Sequence, residues 1–504
     1  MKKIIIIIFL FSITSVLYPQ GFLSWKTVGG NSNRDGYNND FFDTPNGFDR
    51  TFNAPYSIWG MPIFTEGNRF ATTRYISLSP IRASIVAFSF LSTNPVWTFG
   101  ENSGVNIIMG VNNDKVYVRD FQQNGNDTIF ALNADNGALV WKSRFTVERG
   151  IIWTAAFTDN GDLIIPGSGT KRIMRINHQN GDTVWTNRRI IPNTGAECMC
   201  IVGNTLYALE GSITTPKKII AIDIGTGITK YSSEALAGDG DQEIPFTVSR
   251  NGVVYIIRDG GLLHALKDNG TGFTQLWARS VPHPVGTYSQ IAIGKDSSVY
   301  IPYGRKIYRL NHQTGQAMDS SIELASSGTI NPRFTIGKFG NVFVGNGASE
   351  PSQGKYFVFN SSLQSLQEIP FSFNYYCGPT PGGGIYNPHI LMAGAGTEIK
   401  AKYHFIDNIK ILSTKSPENF ELLQNYPNPY NPFTNIEFGI SKLGFVSLNV
   451  FDMLGKKVAT LVNEDLNPGS YKYNFDAKGL SSGVYYYTLK VDGLSESKMM
   501  MLTK

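Results

Sequence analysis

The residues of this chain that could hold a metal ion come close together in sequence at one place. The segment "AGDGDQE", residues 237–243, places three carboxylates among glycines, and an oxygen-rich loop of this kind can bind a cation. Calcium needs about six to eight oxygens from several converging groups, and spacing along one loop does not show that convergence. A solvated loop is therefore favoured over a cation site, and no metal or cofactor is predicted.

The six histidines also lack the spacing of a catalytic or metal centre. His178 and His312 occupy the same position in two similar turns, "NHQNG" and "NHQTG", which indicates a repeated structural element. The other four lie in unrelated contexts without a His-x-x-x-His pattern: His264, His283, His389 and His404. Because the chain also shows no nucleophile elbow at a strand-to-helix turn and no phosphate-binding loop, these residues predict no enzyme.

The cysteines do not form a disulfide framework. Cys198 and Cys200 flank Met199, and Cys377 lies far from both in sequence. On an alternating strand Cys198 and Cys200 face the same side, so a buried core position is favoured. A metal site is the weaker alternative, because a Cys-x-Cys spacing alone is a poor signal.

Composition favours short strands joined by turns. Charged residues make up 16% of the chain and aromatic residues 12%, with 52 glycines and 24 prolines, a mixture typical of strands and turns rather than helices. The net charge is +5, and two of the positive charges are Lys2 and Lys3. This small excess predicts no nucleic-acid partner.

Residues 1–20 have the pattern of a secretory signal peptide. Two lysines precede an apolar run from Ile4 to about Ile13, which is too short to span a bilayer comfortably. The small residues Ser15 and Gly21 leave the cleavage point open. No later run reaches about 18 apolar residues, so an exported chain without a transmembrane segment is predicted.

Residues 55–411 repeat a unit of about 45 residues. A turn of Asn, Asp and Gly precedes a short apolar strand, and a second strand and turn follow, as in "NNDKVYVRD" and "TIFALNADNGALVWK". The first strands of the copies are centred on Phe70, Tyr117, Ile164, Tyr207, Tyr255, Tyr300, Phe343 and Leu391. The spacing predicts an all-β fold, an eight-bladed β-propeller, with seven blades and a capping first unit as the alternative. A strand from the Trp25 region or from residues 55–65 is expected to complete the last blade.

An aromatic residue follows the second turn of many copies. The turns "NADNG", "NHQNG", "DIGTG" and "NHQTG" start with a side chain that bonds its own backbone, and Gly supplies the positive φ. The aromatic residues share one register: Trp97, Trp141, Trp185, Tyr231 and Trp277. Because they recur at one position, a wedge between adjacent blades is favoured over a sugar-binding role.

These units resemble the repeat of quinoprotein-dehydrogenase-like propellers, and "WKTVGGNSNRDGY", residues 25–37, resembles the opening segment of that superfamily. The superfamily contains pyrroloquinoline-quinone dehydrogenases and non-catalytic scaffolds of outer-membrane assembly. For an enzyme, the resemblance implies carboxylate and amide side chains that hold calcium beneath the quinone, an Asp base and, in alcohol dehydrogenases, a disulfide between adjacent cysteines. Cys198 and Cys200 are not adjacent, and no ligand set is found in register.

The C-terminal part has a different pattern. The segment "NYPNPYNPFTNIEF", residues 425–438, contains three prolines in six residues and reads as an extended entry to a β-domain. Alternating segments broken by Gly, Pro and Asn follow, which predicts a small β-sandwich of about seven strands. The predicted division is a propeller at 21–412, a polar linker at 413–419 and the C-terminal domain at 420–504.

This C-terminal stretch closely resembles the type A sorting domain of type IX secretion substrates. The residues that carry the match are Asn425, Pro427, Asn428, Pro429, Asn431, Pro432, Gly444, Asp452, Gly455, Gly469, Tyr471, Ser482, Gly483, Tyr485, Lys498 and Lys504. The resemblance implies recognition by an outer-membrane translocon, removal by a sortase-like protease, and attachment to the cell surface or release. A generic immunoglobulin-like module is the alternative.

Together these observations predict a secreted or cell-surface, non-catalytic propeller whose loops bind a protein or glycan. The alternative is an exported enzyme, quinone-dependent or hydrolytic, with its site at the central channel. Function resides in loops carried by the fold, so a resemblance of fold does not decide between them.

Overall fold

The computed structural model describes most of the chain in separate ranges. These are residues 24–25, 31, 34, 36, 50–55, 62–78, 80–90, 92–102, 104–121, 126–145, 147–148, 155–166, 172–192, 199–212, 214–238, 244–258, 261–281, 289–337, 340–371, 378–382, 389–393, 397–403, 409–413, 417, 419–442, 444–466, 468–477, 479–491 and 493–503. The structure is all-β, and its one helical element within these ranges is the 3₁₀ turn Pro351–Gln353. Across the same ranges, no helix has the length and hydropathy needed to cross a membrane.

Two short strands come first, and the repeat region follows. The N-terminal strands are β1 (Ser24–Trp25) and β2 (Arg50–Asn53). The next strands form antiparallel groups, here called units. Unit 1 is β3 (Ile63–Glu66), β4 (Arg69–Leu78), β5 (Ile81–Ser89) and β6 (Pro95–Phe99). Unit 2 is β7 (Val105–Asn112), β8 (Lys115–Phe121), β9 (Asn126–Asn133) and β10 (Leu139–Lys142), and β11 (Val147–Glu148) also pairs with β9.

Units 3 to 5 are separate four-stranded sheets. Unit 3 is β12 (Ala156–Phe157), β13 (Leu163–Pro166), β14 (Arg172–Ile176) and β15 (Thr183–Arg188). Unit 4 is β16 (Met199–Val202), β17 (Thr205–Ser212), β18 (Thr215–Asp223) and β19 (Thr229–Ser232). Unit 5 is β20 (Ile244–Val248), β21 (Val253–Arg258), β22 (Leu262–Asp268) and β23 (Phe273–Ser280).

Units 6 to 8 continue the pattern. Unit 6 is β24 (Ala292–Ile293), β25 (Val299–Tyr303), β26 (Lys306–Leu310) and β27 (Ala317–Ser320). Unit 7 is β28 (Arg333–Ile336), β29 (Val342–Gly345), β30 (Lys355–Phe359) and β31 (Ser365–Pro370). Unit 8 contains β32 (Thr380–Gly382), β33 (His389–Ala393) and β34 (Glu398–Tyr403), with β2 as its fourth strand.

The strand centres predicted from the sequence lie in the second strand of each unit, not the first. Tyr117, for example, lies in β8, and Leu391 lies in β33. Some first strands are short, and β12 and β24 have two residues each. Such a strand carries too few residues for an alternating pattern, so the sequence reading began those units one strand late.

An N-terminal strand completes unit 8, but it is neither of the two expected segments. β2 pairs antiparallel with β34, with Phe52 opposite Ile399. Trp25 lies in β1, which pairs with β3, and residues 63–66 are β3 itself. Phe52 explains the choice, because it is fully buried and its ring meets that of Phe70 edge-on at 4.9 Å. The expectation about Trp25 and 55–65 is therefore corrected to Arg50–Asn53.

Neighbouring units share hydrophobic cores. Clusters join seven pairs in the described residues: units 1 and 2, 2 and 3, 3 and 4, 4 and 5, 5 and 6, 6 and 7, and 8 and 1. Between units 7 and 8 the hydroxyl of Thr335 donates to the carbonyl of Pro379. Successive units therefore bury their apolar faces against one another, which explains strands such as "VVYII" that are apolar on both faces.

The recurring aromatic residues lie between units, as predicted. The indole N–H of Trp141 donates to the carbonyl of His178 in the next unit (2.9 Å). Trp97, Trp185 and Trp277 make the same bond, each at 2.9 Å, to Ala134, Ile224 and His312. The glycine of the turn in the next unit packs against the indole ring. A Cβ added at Gly181, for example, would lie 2.6 Å from the ring of Trp141. Only glycine therefore fits this position, and the wedge is confirmed.

The C-terminal strands form two further four-stranded sheets. They are β35 (Ile409–Ser413), β36 (Glu421–Leu422), β37 (Phe433–Ile440), β38 (Gly444–Phe451), β39 (Lys457–Leu466), β40 (Gly469–Asp476), β41 (Gly483–Val491) and β42 (Leu494–Leu502). The strand orders are β35-β40-β37-β36 and β39-β38-β41-β42. One hydrophobic cluster contains residues of both sheets, including Phe438, Tyr471, Leu448 and Tyr487.

Strand β35 corrects one predicted boundary. The sequence reading placed residues 409–412 in the repeat region and 413 in a linker. In the structure Ile409 lies opposite Tyr473, and Ser413 lies opposite Ser470, so this strand belongs to a C-terminal sheet. Five residues of alternating "IKILS" fit either region equally well, and only long-range pairing distinguishes them.

Candidate functional site

The first strands of neighbouring units, here called the inner strands, lie beside one another. The hydroxyl of Thr65 in unit 1 donates to the carbonyl of Pro381 in unit 8 (2.7 Å). Cys200 Sγ, in unit 4, donates to the carbonyl of Phe246 in unit 5 (3.4 Å). Cys200 is buried, as predicted, whereas Cys198 and Cys377 lie outside the described residues. These bonds tie the inner strands of adjacent units together.

A segment near the N-terminus crosses these inner strands. Arg34 Nε donates to the carbonyl of Met199 in unit 4 (2.8 Å). Two residues later, the carbonyl of Gly36 accepts from the N–H of Ile336 in unit 7 (2.8 Å). A Cβ at Gly36 would lie 3.0 Å from Gln290 Nε2 and 3.1 Å from Ala292, beside unit 6. The segment, with Arg34 buried, therefore occupies space between the inner strands of three units.

The described histidines have structural partners. His178 lies in unit 3, where its N–H donates to Asp162 Oδ1 (3.1 Å) and its Nδ1 is 3.0 Å from the same oxygen. Arg175 Nε donates to Asp162 Oδ2 (2.9 Å), and Arg175 Nη1 donates to the carbonyl of Ile224 in unit 4 (2.9 Å). Burial alone would raise the pKa of Asp162, but these hydrogen bonds hold it below its ordinary value. This cluster ties unit 3 to unit 4.

Of the remaining metal candidates, His264 has structural partners. His264 is buried, with its Nε2 2.8 Å from the carbonyl of Ala237 and its Nδ1 3.0 Å from Gln275 Oε1. The carbonyl of Gly238 accepts from Arg258 (3.0 Å). Residues 239–243, His283 and His404 lie outside the described part of the chain, and His389 begins β33. Within the described residues, no three His, Cys, Asp or Glu side chains are placed to share one metal ion.

In the C-terminal domain, the proline segment, residues 425–432, begins at a buried asparagine. The Asn425 side chain donates to the carbonyl of Pro427 (3.0 Å) and to the hydroxyl of Thr434 (2.9 Å). Its backbone N–H donates to Tyr487 Oη (2.7 Å), and the Tyr487 hydroxyl donates to the carbonyl of Leu423 (2.8 Å). Asn425 therefore joins the chain entry, β37 and β41.

Further along, the proline segment lies on the last strand. Asn428 Nδ2 donates to the carbonyl of Met499 (3.2 Å), and its Oδ1 accepts from the N–H of Met501 (2.9 Å). The N–H of Tyr430 donates to the carbonyl of Met501 (2.9 Å), and that of Thr503 donates to the carbonyl of Tyr430 (3.0 Å). β42 is an edge strand, and these bonds satisfy part of its free edge.

Other motif residues shape turns. Asp452 Oδ1 accepts from the backbone of Leu454 and Lys456 at 2.9 Å each, and Gly455 has φ of 77°. The Tyr485 hydroxyl donates to the carbonyl of Ser481 (2.8 Å).

The remaining residues of the predicted sorting motif lie at strand ends or within strands. Gly444, Gly469 and Gly483 begin strands, Ser482 precedes β41, Tyr471 stacks on Phe438, and Lys498 pairs with Glu496 (3.1 Å). The carbonyl of Pro432 accepts a hydrogen bond from the N–H of Ala477 (3.0 Å). Asn431 is exposed, and Pro429 lies between Asn428 and Tyr430. Lys504 lies outside the described residues.

Sequence reasoning missed two residues that hold the proline segment in place. The buried hydroxyl of Thr434 donates to the carbonyl of Pro427 (2.8 Å). Gln424 Nε2 donates to the carbonyl of Met499 (2.7 Å). Thr434 follows the last proline closely in "NPFT", and a polar residue at an inward strand position was the available signal.

Comparison with known families identifies the C-terminal part. Residues 424–503 match the family model described as secretion system C-terminal sorting domain. These residues are a C-terminal sorting domain. A type IX sorting domain indicates secretion or export to the cell surface. Residues 82–318 match the model described as outer membrane protein assembly factor BamB.

Solved structures support the fold of the region before the sorting domain. The crystal structure of quinohemoprotein alcohol dehydrogenase from Comamonas testosteroni is 14% identical, with TM-score 0.57 over 80% of this chain and 82% of that chain. BamB from Moraxella catarrhalis is also 14% identical, with TM-score 0.50 over 71% and 99%. The Dos1 propeller is 12% identical, with TM-score 0.51 over 73% and 98%. No curated protein matches the chain in sequence. At these identities the similarity shows the fold alone, a PQQ-like propeller.

Proposed function

We propose that this chain is a non-catalytic binding protein of the cell surface or medium. Its units 1 to 8 form the blades of a closed eight-bladed propeller, and β35 to β42 form a β-sandwich that directs export. The shared cores between successive units and the pairing of β2 with β34 support the closed ring. Residues 1–20 act as the signal peptide, and the outer-membrane translocon and its sortase-like protease are the export partners.

The observation that carries the non-catalytic assignment is the N-terminal segment at the centre. In the proposed ring, units 4 and 7 lie on different sides of the central channel, and Arg34 and Gly36 contact both of them. A cofactor or substrate in the channel would have to share this space with a buried arginine. The polar clusters described above, such as Asp162 with Arg175 and His178, connect units rather than face a common ligand.

The loops on one side of the propeller are the proposed binding surface. In an antiparallel meander, the connections between first and second strands lie on one side, and those leading to the next unit lie on the other. The connection between the first and second strands is short, as at Gly203–Asn204 between β16 and β17. The connection to the next unit is longer, as at 189–198 and 281–291. Long loops on a rigid scaffold are where binding residues are found, so a protein or glycan ligand is expected there.

The export proposal is tested by deleting residues 495–504, which removes nearly all of β42. Met500 and Leu502 are buried in the shared core, so the sorting domain should lose its fold. In a host with the type IX machinery, the shortened chain should remain in the periplasm with its propeller folded. Normal arrival at the surface or in the medium would refute the sorting role.

The non-catalytic proposal is tested on the purified chain from residue 21 onwards. We expect no calcium-dependent binding of pyrroloquinoline quinone and no dye-linked oxidation of alcohols or sugars. On arrays of glycans and surface proteins, we expect binding that is lost when the 189–198 and 281–291 loops are shortened. Quinone-dependent turnover would establish the enzymatic alternative instead.

A further inference from the structure

Two strands of one sheet in the sorting domain, β35 and β36, lie outside the region that the family model matches, and β35 lies well before it. The match covers residues 424–503, whereas β35 is Ile409–Ser413. It is the edge strand of the sheet β35-β40-β37-β36 and pairs antiparallel with β40, with Ile411 opposite Tyr471. The edge of β40 is therefore covered by the chain that leads into the domain.

Gly469 has no side chain that would block the close approach of β35. A Cβ at Gly469 would lie 2.8 Å from the backbone carbonyl oxygen of Ser413, a distance that real Cβ atoms do not adopt. The φ of Gly469 is not positive, so its backbone does not require glycine. What requires glycine here is the close approach of β35.

The chain leaves β35 at Ser413 and re-enters the sheet at Glu421, and both residues lie at the same end of the sheet. Ser413 lies opposite Ser470 in β40, and Gly439 lies opposite Ser470 on the other side. Glu421, where the chain re-enters the sheet, pairs with Gly439, and Pro417 packs against Gly439. Ser413, Pro417 and Glu421 thus all lie against this sheet.

We propose that Ile409–Ser413 is part of the sorting unit, which therefore begins near residue 409, and that Gly469 is the positioning residue that admits this strand. The inference rests on the proposed export function and extends it. β35 covers an edge that would otherwise offer free N–H and C=O groups, and it holds the segment that precedes the domain in one place. Recognition and processing outside the cell then act on a fixed connection.

The test compares matched substitutions in the full chain. Lys410→Pro removes an N–H inside β35, whereas Lys415→Pro makes the same change beyond the end of the strand. Gly469→Ala places a methyl group against Ser413, whereas Gly479→Ala adds it where no atom lies within 4 Å. Hydrogen exchange at 409–413 and at β41 is measured on purified protein, and location is followed in a host with the type IX machinery.

In the parent chain, amides of 409–413 should exchange at least about tenfold more slowly than in an open loop. Lys410→Pro and Gly469→Ala should abolish that protection while β41 stays protected, and should reduce export several-fold. Lys415→Pro and Gly479→Ala should match the parent. Unprotected 409–413 amides in the parent, or normal export of Lys410→Pro, would overturn the inference. If the 495–504 deletion is also exported normally, the sorting role itself has failed, and the two failures are thereby distinguished.

Discussion

At the scale of single residues, two of the sorting domain's buried tyrosines, Tyr430 and Tyr487, differ in how their hydroxyls are bonded. The hydroxyl of Tyr487 donates to Leu423 and accepts from Asn425. The hydroxyl of Tyr430 is buried and has no hydrogen-bond partner among the described residues. Burial raises the pKa of Tyr430 to about 12, because the charged form is disfavoured in an apolar core. Position 430 therefore suits phenylalanine.

We predict that Tyr430→Phe leaves the stability of the sorting domain unchanged or raises it by up to about 1 kcal/mol, since it removes an unsatisfied hydroxyl. Tyr487→Phe makes the same chemical change but breaks two hydrogen bonds, and should cost about 1–3 kcal/mol. Urea midpoints of the full chain, followed by hydrogen exchange in β41, measure both. A larger loss for Tyr430→Phe than for Tyr487→Phe would contradict this account.

At the scale of elements, the proline segment stabilises the last strand. Prolines lack an N–H and favour extended backbone, so residues 425–432 cannot form a central strand. They lie instead along β42, where Asn428 supplies both a donor and an acceptor to its backbone. The segment is thus a cover for the edge of β42, and not simply a lead-in.

We predict that Asn428→Ala destabilises the sorting domain by about 0.5–1.5 kcal/mol, because it removes two hydrogen bonds to the exposed backbone edge of β42. Asn431→Ala is the control, since Asn431 is exposed in the same segment, and it should change stability by less than about 0.5 kcal/mol. Hydrogen exchange at Met499 and Met501 reports the effect locally. Equal exchange in the two variants would show that Asn428 does not hold the strand.

At the scale of the whole molecule, the repeat region depends on strand β2. Phe52 lies in a core that contains Ile63 and Phe70 of unit 1 and Leu391 of unit 8. The loss of this one side chain therefore affects the contact between the first and last units.

We predict that Phe52→Ala destabilises the repeat region by about 3–5 kcal/mol, the cost of a large cavity, whereas Phe52→Leu should cost clearly less because most of the apolar volume remains. Thermal unfolding and limited proteolysis near residues 50 and 400 measure the difference. An alanine variant as stable as the leucine variant would mean that β2 does not close the structure.

A feature of the fold could be predicted from the sequence when its signal lies within a short stretch of residues. The turn glycines and Trp141, Trp185 and Trp277 recur at one register, so their wedge role was predictable. The identity of β2 was not, because "RTFN" carries no repeat signal and its partner lies near residue 400. Strand β35 was misassigned for the same reason. The N-terminal segment was recognised as a motif, but its place between units depends on contacts that no local pattern encodes.

The pairing of β2 with β34 also has a consequence for the order in which the protein can fold. The two partners are separated by nearly the full repeat region, and the hydroxyl of Thr65 reaches a carbonyl 316 residues away. On the proposed export route, the chain crosses the inner membrane from its N-terminus and exposes Phe52 and the apolar face of unit 1 long before unit 8 follows. Contacts of such high sequence separation form slowly, because the entropy of closing a long loop is lost before any contact is gained. On that route the open chain must stay soluble until the last strands arrive, and we expect the rate at which β2 pairs with β34 to set when the cargo is ready for export.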